Sequence, residues 1–144
     1  MTGLFFIAGG ILMLAFFVLG AIAAVKHHKP KLSKSAQKYV TSHWYRILDS
    51  VEADAKHAVM EADKLLDYVF ERRVGGAAKG LRLSLGEKLK KHKGHFSDLN
   101  GVWDAHKLRN KIAHEMGFKV SHKEAKIALG RFKKALMDLG ATLK

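Results

Sequence analysis

From Gly3 to Val25 the chain carries no charged side chain and is dense in Leu, Ile, Phe, Val and Ala. A helix of that length spans roughly 34 Å at ~1.5 Å per residue, enough to cross a ~30 Å hydrocarbon core with modest tilt. A secretory leader is the competing form, and Ala21-Ile22-Ala23 resembles a cleavage site. Only Met1 and Thr2 precede the run, so the basic n-region of a leader is missing, and the run exceeds an h-region of about 7–15 residues. Residues 1–25 are therefore expected to be a transmembrane anchor.

The flanks orient it. Lys26, His27, His28, Lys29, Lys31, Lys34 and Lys38 follow the run, and no Lys or Arg precedes it. The positive-inside bias puts the N-terminus outside and the remainder in the cytoplasm, as a single-pass protein of the cell membrane. Pro30 stops the anchor helix from running on, and residues 26–41 read as a basic juxtamembrane linker attracted to anionic headgroups.

Beyond the linker the pattern is helical throughout. From about Ser42 to Phe70, apolar residues recur at Trp44, Ile47, Leu48, Val51, Ala55, Ala58, Val59, Ala62, Leu65, Leu66 and Val69. That alternation of three and four predicts one long amphipathic helix, with Glu52, Asp54, Glu61, Asp63 and Glu71 on its other faces. Gly75-Gly76 is expected to end it, and residues 74–82 read as a glycine-rich basic loop. Ser84-Leu85-Gly86-Glu87 has the form of a capping box and predicts a short helix to about Lys93. Ser97 or Asp98 can cap the next helix. Ser121-His122-Lys123-Glu124 is a second capping box, opening a final helix that runs to Gly140 with Ala125, Ala128, Leu129, Phe132, Ala135, Leu136 and Leu139 on one face. No segment alternates as a strand. The expectation is an all-α protein: one membrane helix, then a bundle of about four helices over residues 42–144.

Charge narrows the choice of partner. The formal net charge is +13, and it is unevenly spread: residues 44–71 are acidic overall, while residues 72–96 hold eight basic side chains against one acidic. A basic surface beside a polar motif suits a polyanion such as RNA. The side chains expected to meet it are Lys79, Arg82, Lys88, Lys90, Lys91, Lys93, Lys107 and Lys111. The absence of cysteine excludes a disulfide scaffold, a thiolate zinc site and a cysteine nucleophile. His92 and His95 straddle Gly94 without a carboxylate cluster, so no metal and no cofactor is expected. Gly75 to Gly80 lacks both the Walker spacing and a preceding strand.

The chemistry concentrates in Leu108-Arg109-Asn110-Lys111-Ile112-Ala113-His114. Arginine is a permanent cation able to hold a phosphate, and histidine, with a reference pKa of ~6.5, moves protons at cellular pH. Arg109 and His114 lie about 140° apart on an ideal helix, whereas His106, Asn110 and His114 form one stripe at spacing four. Burying that stripe would cost a few kcal/mol per unpaired group, so it is expected to face a groove or the same stripe of a second copy.

The run from Trp103 to Glu115 resembles the signature of the HEPN superfamily (higher eukaryotes and prokaryotes nucleotide-binding domains). That signature is an Arg followed by a polar residue, often Asn, and then by a His a few positions on. Arg109, Asn110 and His114 match it, and the resemblance covers roughly residues 42–140. It implies a homodimeric, metal-independent endoribonuclease whose two motifs form one composite site. His114 would be general acid or base, Arg109 would neutralise charge on the phosphoryl oxygens, and Asn110 would orient phosphate or histidine. On geometry, His106 is added as their supporting partner. Some members of that superfamily bind without cutting, so the alternative is a non-catalytic, membrane-tethered module for RNA, a nucleotide or an acidic protein. An antitoxin or other regulatory protein is not readable from the chain.

Overall fold

Each helix begins where a side-chain oxygen captures an otherwise unpaired backbone N–H. In the computed structural model, which describes residues 31–74 and 83–144, Ser33 caps α1 (Lys34–Ser50) and Asp54 caps α2 (Ala55–Arg73). Ser84 and Glu87 form the expected capping box at α3 (Leu85–Lys91), which a short 3-10 turn, Lys93–His95, follows. Asp98 caps α4 (Leu99–His114), and Ser121 with Glu124 forms the second capping box at α5 (His122–Asp138). Ser97 is not the cap of α4. Its N–H and hydroxyl both donate to Asp138 at 2.8 and 2.7 Å, pinning the start of α4 to the end of α5. The described residues contain five α-helices and no strand.

Two boundaries differ from the sequence reading. The expected long helix from Ser42 to Phe70 is two helices, broken at Val51–Asp54. Ser50 turns its hydroxyl onto the Ile47 carbonyl at 2.9 Å, and Asp54 accepts the His57 N–H at 2.9 Å to restart the helix. Serine and aspartate offer the backbone such local alternatives to a continuous ladder. The first helix also begins at Lys34, inside the stretch read as linker, because Ala36 and Val40 bury against the core. The anchor expected at residues 3–25, and the loop with Lys79 and Arg82, lie outside the described residues. Among the described residues no helix is long and apolar enough to cross a membrane.

Helix α2 is central: it packs against α1, α4 and α5, while α3 leans on α4. Trp44, Leu66, Val69, Phe70, Leu89, Val102, Phe132 and Leu136 fill the shared core with essentially no exposure. Each large side chain so buried contributes roughly 1.5–3 kcal/mol. Of the apolar stripe read from Trp44 to Val69, only Leu48 turns outward. Gly140, at φ 95°, adopts a backbone conformation that favours glycine and stops α5. Leu139, Ala141 and Leu143 then extend the core, held by Arg73 Nε donating to the Leu139 carbonyl at 2.7 Å. Gln37 clamps Thr142 from both sides, donating to its carbonyl at 2.7 Å and accepting its N–H at 3.0 Å.

The capping boxes make helix starts acid-sensitive. The Ser121 hydroxyl, followed by its backbone N–H, holds the Glu124 carboxyl below its ordinary value, and Ser84 does the same for Glu87. A depressed carboxyl stabilises the fold above its unfolded value of ~4.3 and loses that contribution as pH falls through the folded one. Between about pH 5 and 3 the wild type is expected to lose more thermal stability than the Glu87→Gln/Glu124→Gln double variant. Parallel curves of Tm against pH for the two proteins would refute the assignment.

Candidate functional site

The site is built along α4, from the buried His106 past the half-buried Arg109 and Asn110 to the exposed His114 at its last residue. Helix α2 contributes the group that organises it. Asp63 is only 4 % exposed, and its Oδ1 lies 2.7 Å from Nδ1 of His106. Its other oxygen lies 3.3 Å from Nε of Arg109. That second contact is a charge contact rather than a hydrogen bond, since Arg109 Nε is buried with no aligned acceptor. Arg109 Nη1 donates to the Asn110 side-chain carbonyl at 3.0 Å. A buried carboxylate is costly unless paired, and one carboxylate here holds an imidazole and a guanidinium that lie one helical turn apart.

The tautomer of His106 follows from that contact. A carboxylate accepts, so Nδ1 carries the proton, and in the neutral ring Nε2 is left as an acceptor. His106 lines a cleft of about 630 Å³ between α2, α3 and α4, whose walls include Asp63, Gly86, Lys90, Trp103, Arg109 and Asn110. A methyl group built on Gly86 would sit 3.5 Å from both His106 Nε2 and Trp103, so the α3 wall runs along the free edge of the ring. Trp103 meets His106 edge-on, with ring centroids 5.9 Å apart.

The structure thus gathers His106, Arg109 and Asn110 around one cleft and leaves His114 outside it. Five residues beyond Arg109, His114 is exposed, and its side chain has no hydrogen bond or ion pair among the described residues. Beside it, Met116 is fully exposed. Lys90, Lys91, Lys93, Lys107 and Lys111 are exposed, as the reading of a polyanion-facing surface requires. Lys88 is not. It is buried between α2 and α3, where Nζ meets Asp67 at 2.6 Å and also pairs with Glu71. Burial opposes its charge, but the hydrogen bonds that the ammonium donates to the two carboxylates outweigh burial and hold it above its ordinary value. Lys88 fastens α3 to α2 and has no face to offer a ligand.

Among the described residues, no group of three His, Asp or Glu side chains is placed to hold a metal ion. His92 packs edge-on against Phe70, and burial, followed by the nearby charges of His95 and Lys91, lowers its pKa. Asp63, which the sequence reading put on an outer face of the helix, is instead a buried member of this candidate site. Its signal was present: Val59, Asp63, Leu66 and Phe70 share one face at spacings of four, three and four, and the other three are buried. No protein-family model, curated protein or solved structure matches this chain.

Proposed function

We propose that the protein is an endoribonuclease of HEPN type, carried on a membrane anchor at residues 3–25 with its basic helical domain in the cytoplasm. The observation carrying this reading is a guanidinium and an amide, Arg109 and Asn110, fixed on one wall of an open cleft in a strongly basic chain. A phosphodiester entering the cleft meets Arg109 as a fixed cation, and single-stranded or looped RNA fits best because its backbone is splayed and accessible. Cleavage proceeds by attack of the ribose 2′-hydroxyl on the adjacent phosphate. It leaves a 2′,3′-cyclic phosphate and a 5′-hydroxyl, and His114 acts as acid or base.

One protomer does not bring Arg109 and His114 together: Arg109 faces Asp63, and His114 stands outside the cleft. The reading therefore includes a homodimer in which His114 of one copy serves the Arg109 cleft of the other. Digestion of RNA by wild type, Arg109→Ala and His114→Ala tests the enzyme, and mixing the two variants tests the dimer. Each variant alone is expected to be inactive. After subunit exchange, half the dimers are mixed with one intact site of two, giving about a quarter of wild-type activity for a two-fold dimer. No recovery on mixing refutes the shared site, and equal activity in wild type and both variants refutes the enzyme.

The pairing of Arg109 with Asp63 supports a second reading, because part of the arginine's charge is already answered. In it the domain is a tethered module that binds RNA, a nucleotide or an acidic protein without cutting. Salt-sensitive RNA binding by an intact wild type that leaves the RNA whole favours that reading.

A further inference from the structure

Cutting RNA through its 2′-hydroxyl takes two proton transfers, one from the attacking oxygen and one to the leaving oxygen. His114 supplies one group. We propose that His106, aimed by Asp63, is the other: its Nε2 takes the 2′-hydroxyl proton. This inference rests on the nuclease reading and adds a catalytic residue and a positioning residue to it.

Three observations carry it. Asp63 occupies Nδ1 of His106 at 2.7 Å, which leaves the basic nitrogen, Nε2, toward Gly86 of the cleft wall with no hydrogen bond among the described residues. The same carboxylate touches Arg109, so imidazole and guanidinium are fixed relative to each other, three residues apart on one helix face. One can then approach the 2′-oxygen while the other approaches a non-bridging phosphate oxygen. Finally, His114 lies eight residues along the same helix, about 12 Å in axial rise at ~1.5 Å per residue, and is not among the residues that line the cleft. On this proposal a protomer's own two histidines do not divide the two transfers at one phosphodiester. The in-cleft histidine is left with one, and a second copy's His114 with the other.

The step balances as follows. The 2′-O–H proton moves to His106 Nε2, the 2′-oxygen bonds to phosphorus, and the bond from phosphorus to the 5′-oxygen breaks. The 5′-oxygen takes a proton from His114 of the second copy, His106 returns its proton to water, and His114 regains one from water. Asp63 touches no reacting atom. It fixes the tautomer of the ring and stabilises the imidazolium that forms. The charged groups lining the same cleft are Asp63, Lys64 and Asp67 from α2, Glu87 and Lys90 from α3, and Arg109 from α4.

The test uses the full-length chain on a short single-stranded RNA, with kcat followed against pH and RNA affinity measured separately. His106→Gln is expected to lower kcat by about 10²–10⁴-fold while affinity stays near wild type. Asp63→Asn is expected to lower kcat and to change the pH–rate profile, because the ring loses the acceptor that fixes its tautomer. If His106→Gln cleaves at the wild-type rate while His114→Ala does not, this proposal is overturned and the nuclease reading stands. If His106→Gln fails to fold, Asp63→Asn decides, and an unmoved pH profile overturns the proposal. A wild type that never cuts RNA overturns both.

Discussion

Phe132→Ala is expected to destabilise the fold by about 3–5 kcal/mol, the usual cost of emptying a buried aromatic site. Phe132 has no exposed surface and lies on the face of α5 that packs against α2 and α4. Truncation removes the transfer energy of the ring and leaves a cavity that rigid helices on both sides cannot collapse into. Native domains hold only about 5–15 kcal/mol in total, so the change consumes a large part of the margin. At about 4–8 °C per kcal/mol for a domain near 100 residues, Tm should fall by well over 10 °C. Ile127, on the same helix but 47 % exposed, supplies the internal control. Its truncation is expected to stay within about 0.5 kcal/mol. Thermal unfolding of the two variants, followed by helical circular dichroism, separates them. Equal losses would mean that α5 does not share one core with α2.

What could be read from the chain beforehand divides along the range of the interactions. Capping boxes at Ser84 and Ser121 act over three residues, and the structure forms both. The apolar face of α5, Ala125 through Leu139, is a local periodicity and is buried throughout. The break at Val51–Asp54 was hidden because Ile47, Val51, Ala55 and Ala58 stay in helical phase across it, and only the capping aspartate marks the restart. Lys88 was misassigned to the surface because its burial depends on Asp67 and Glu71, which α2 brings from far along the chain. At the site, helical spacing groups His106, Asn110 and His114 in one stripe with Arg109 beside it, whereas the cleft takes in His106, Arg109 and Asn110 and leaves His114 outside. The common anchor does not follow from spacing. Asp63 lies on another helix, and a lone acidic residue in an apolar phase becomes informative only when the packing of α2 against α4 is known.

Arg109→Ala is expected to reduce kcat for RNA cleavage by about 10²–10³-fold, the usual loss when a preorganised donor to a developing oxyanion is removed. In the transition state for 2′-hydroxyl attack, negative charge accumulates on the non-bridging phosphate oxygens. A guanidinium already anchored through Asp63 and Asn110 meets that charge without reorganising. The same anchoring makes the structural objection testable, because alanine also removes a partner of the buried Asp63 carboxylate. Arg109→Lys resolves it. A lysine keeps the charge near Asp63 but lacks the planar fork that spans two oxygens, so it should restore stability more fully than activity. The division between kcat and KM then discriminates among roles. A fall in kcat with little change in KM identifies an interaction made only in the transition state, as the nuclease reading requires. A rise in KM with kcat preserved would make Arg109 a ground-state phosphate clamp and move the burden of chemistry to the histidines. If RNA binding instead weakens while no variant, wild type included, yields a 2′,3′-cyclic phosphate, the cleft is a binding site and the tethered-module reading takes its place.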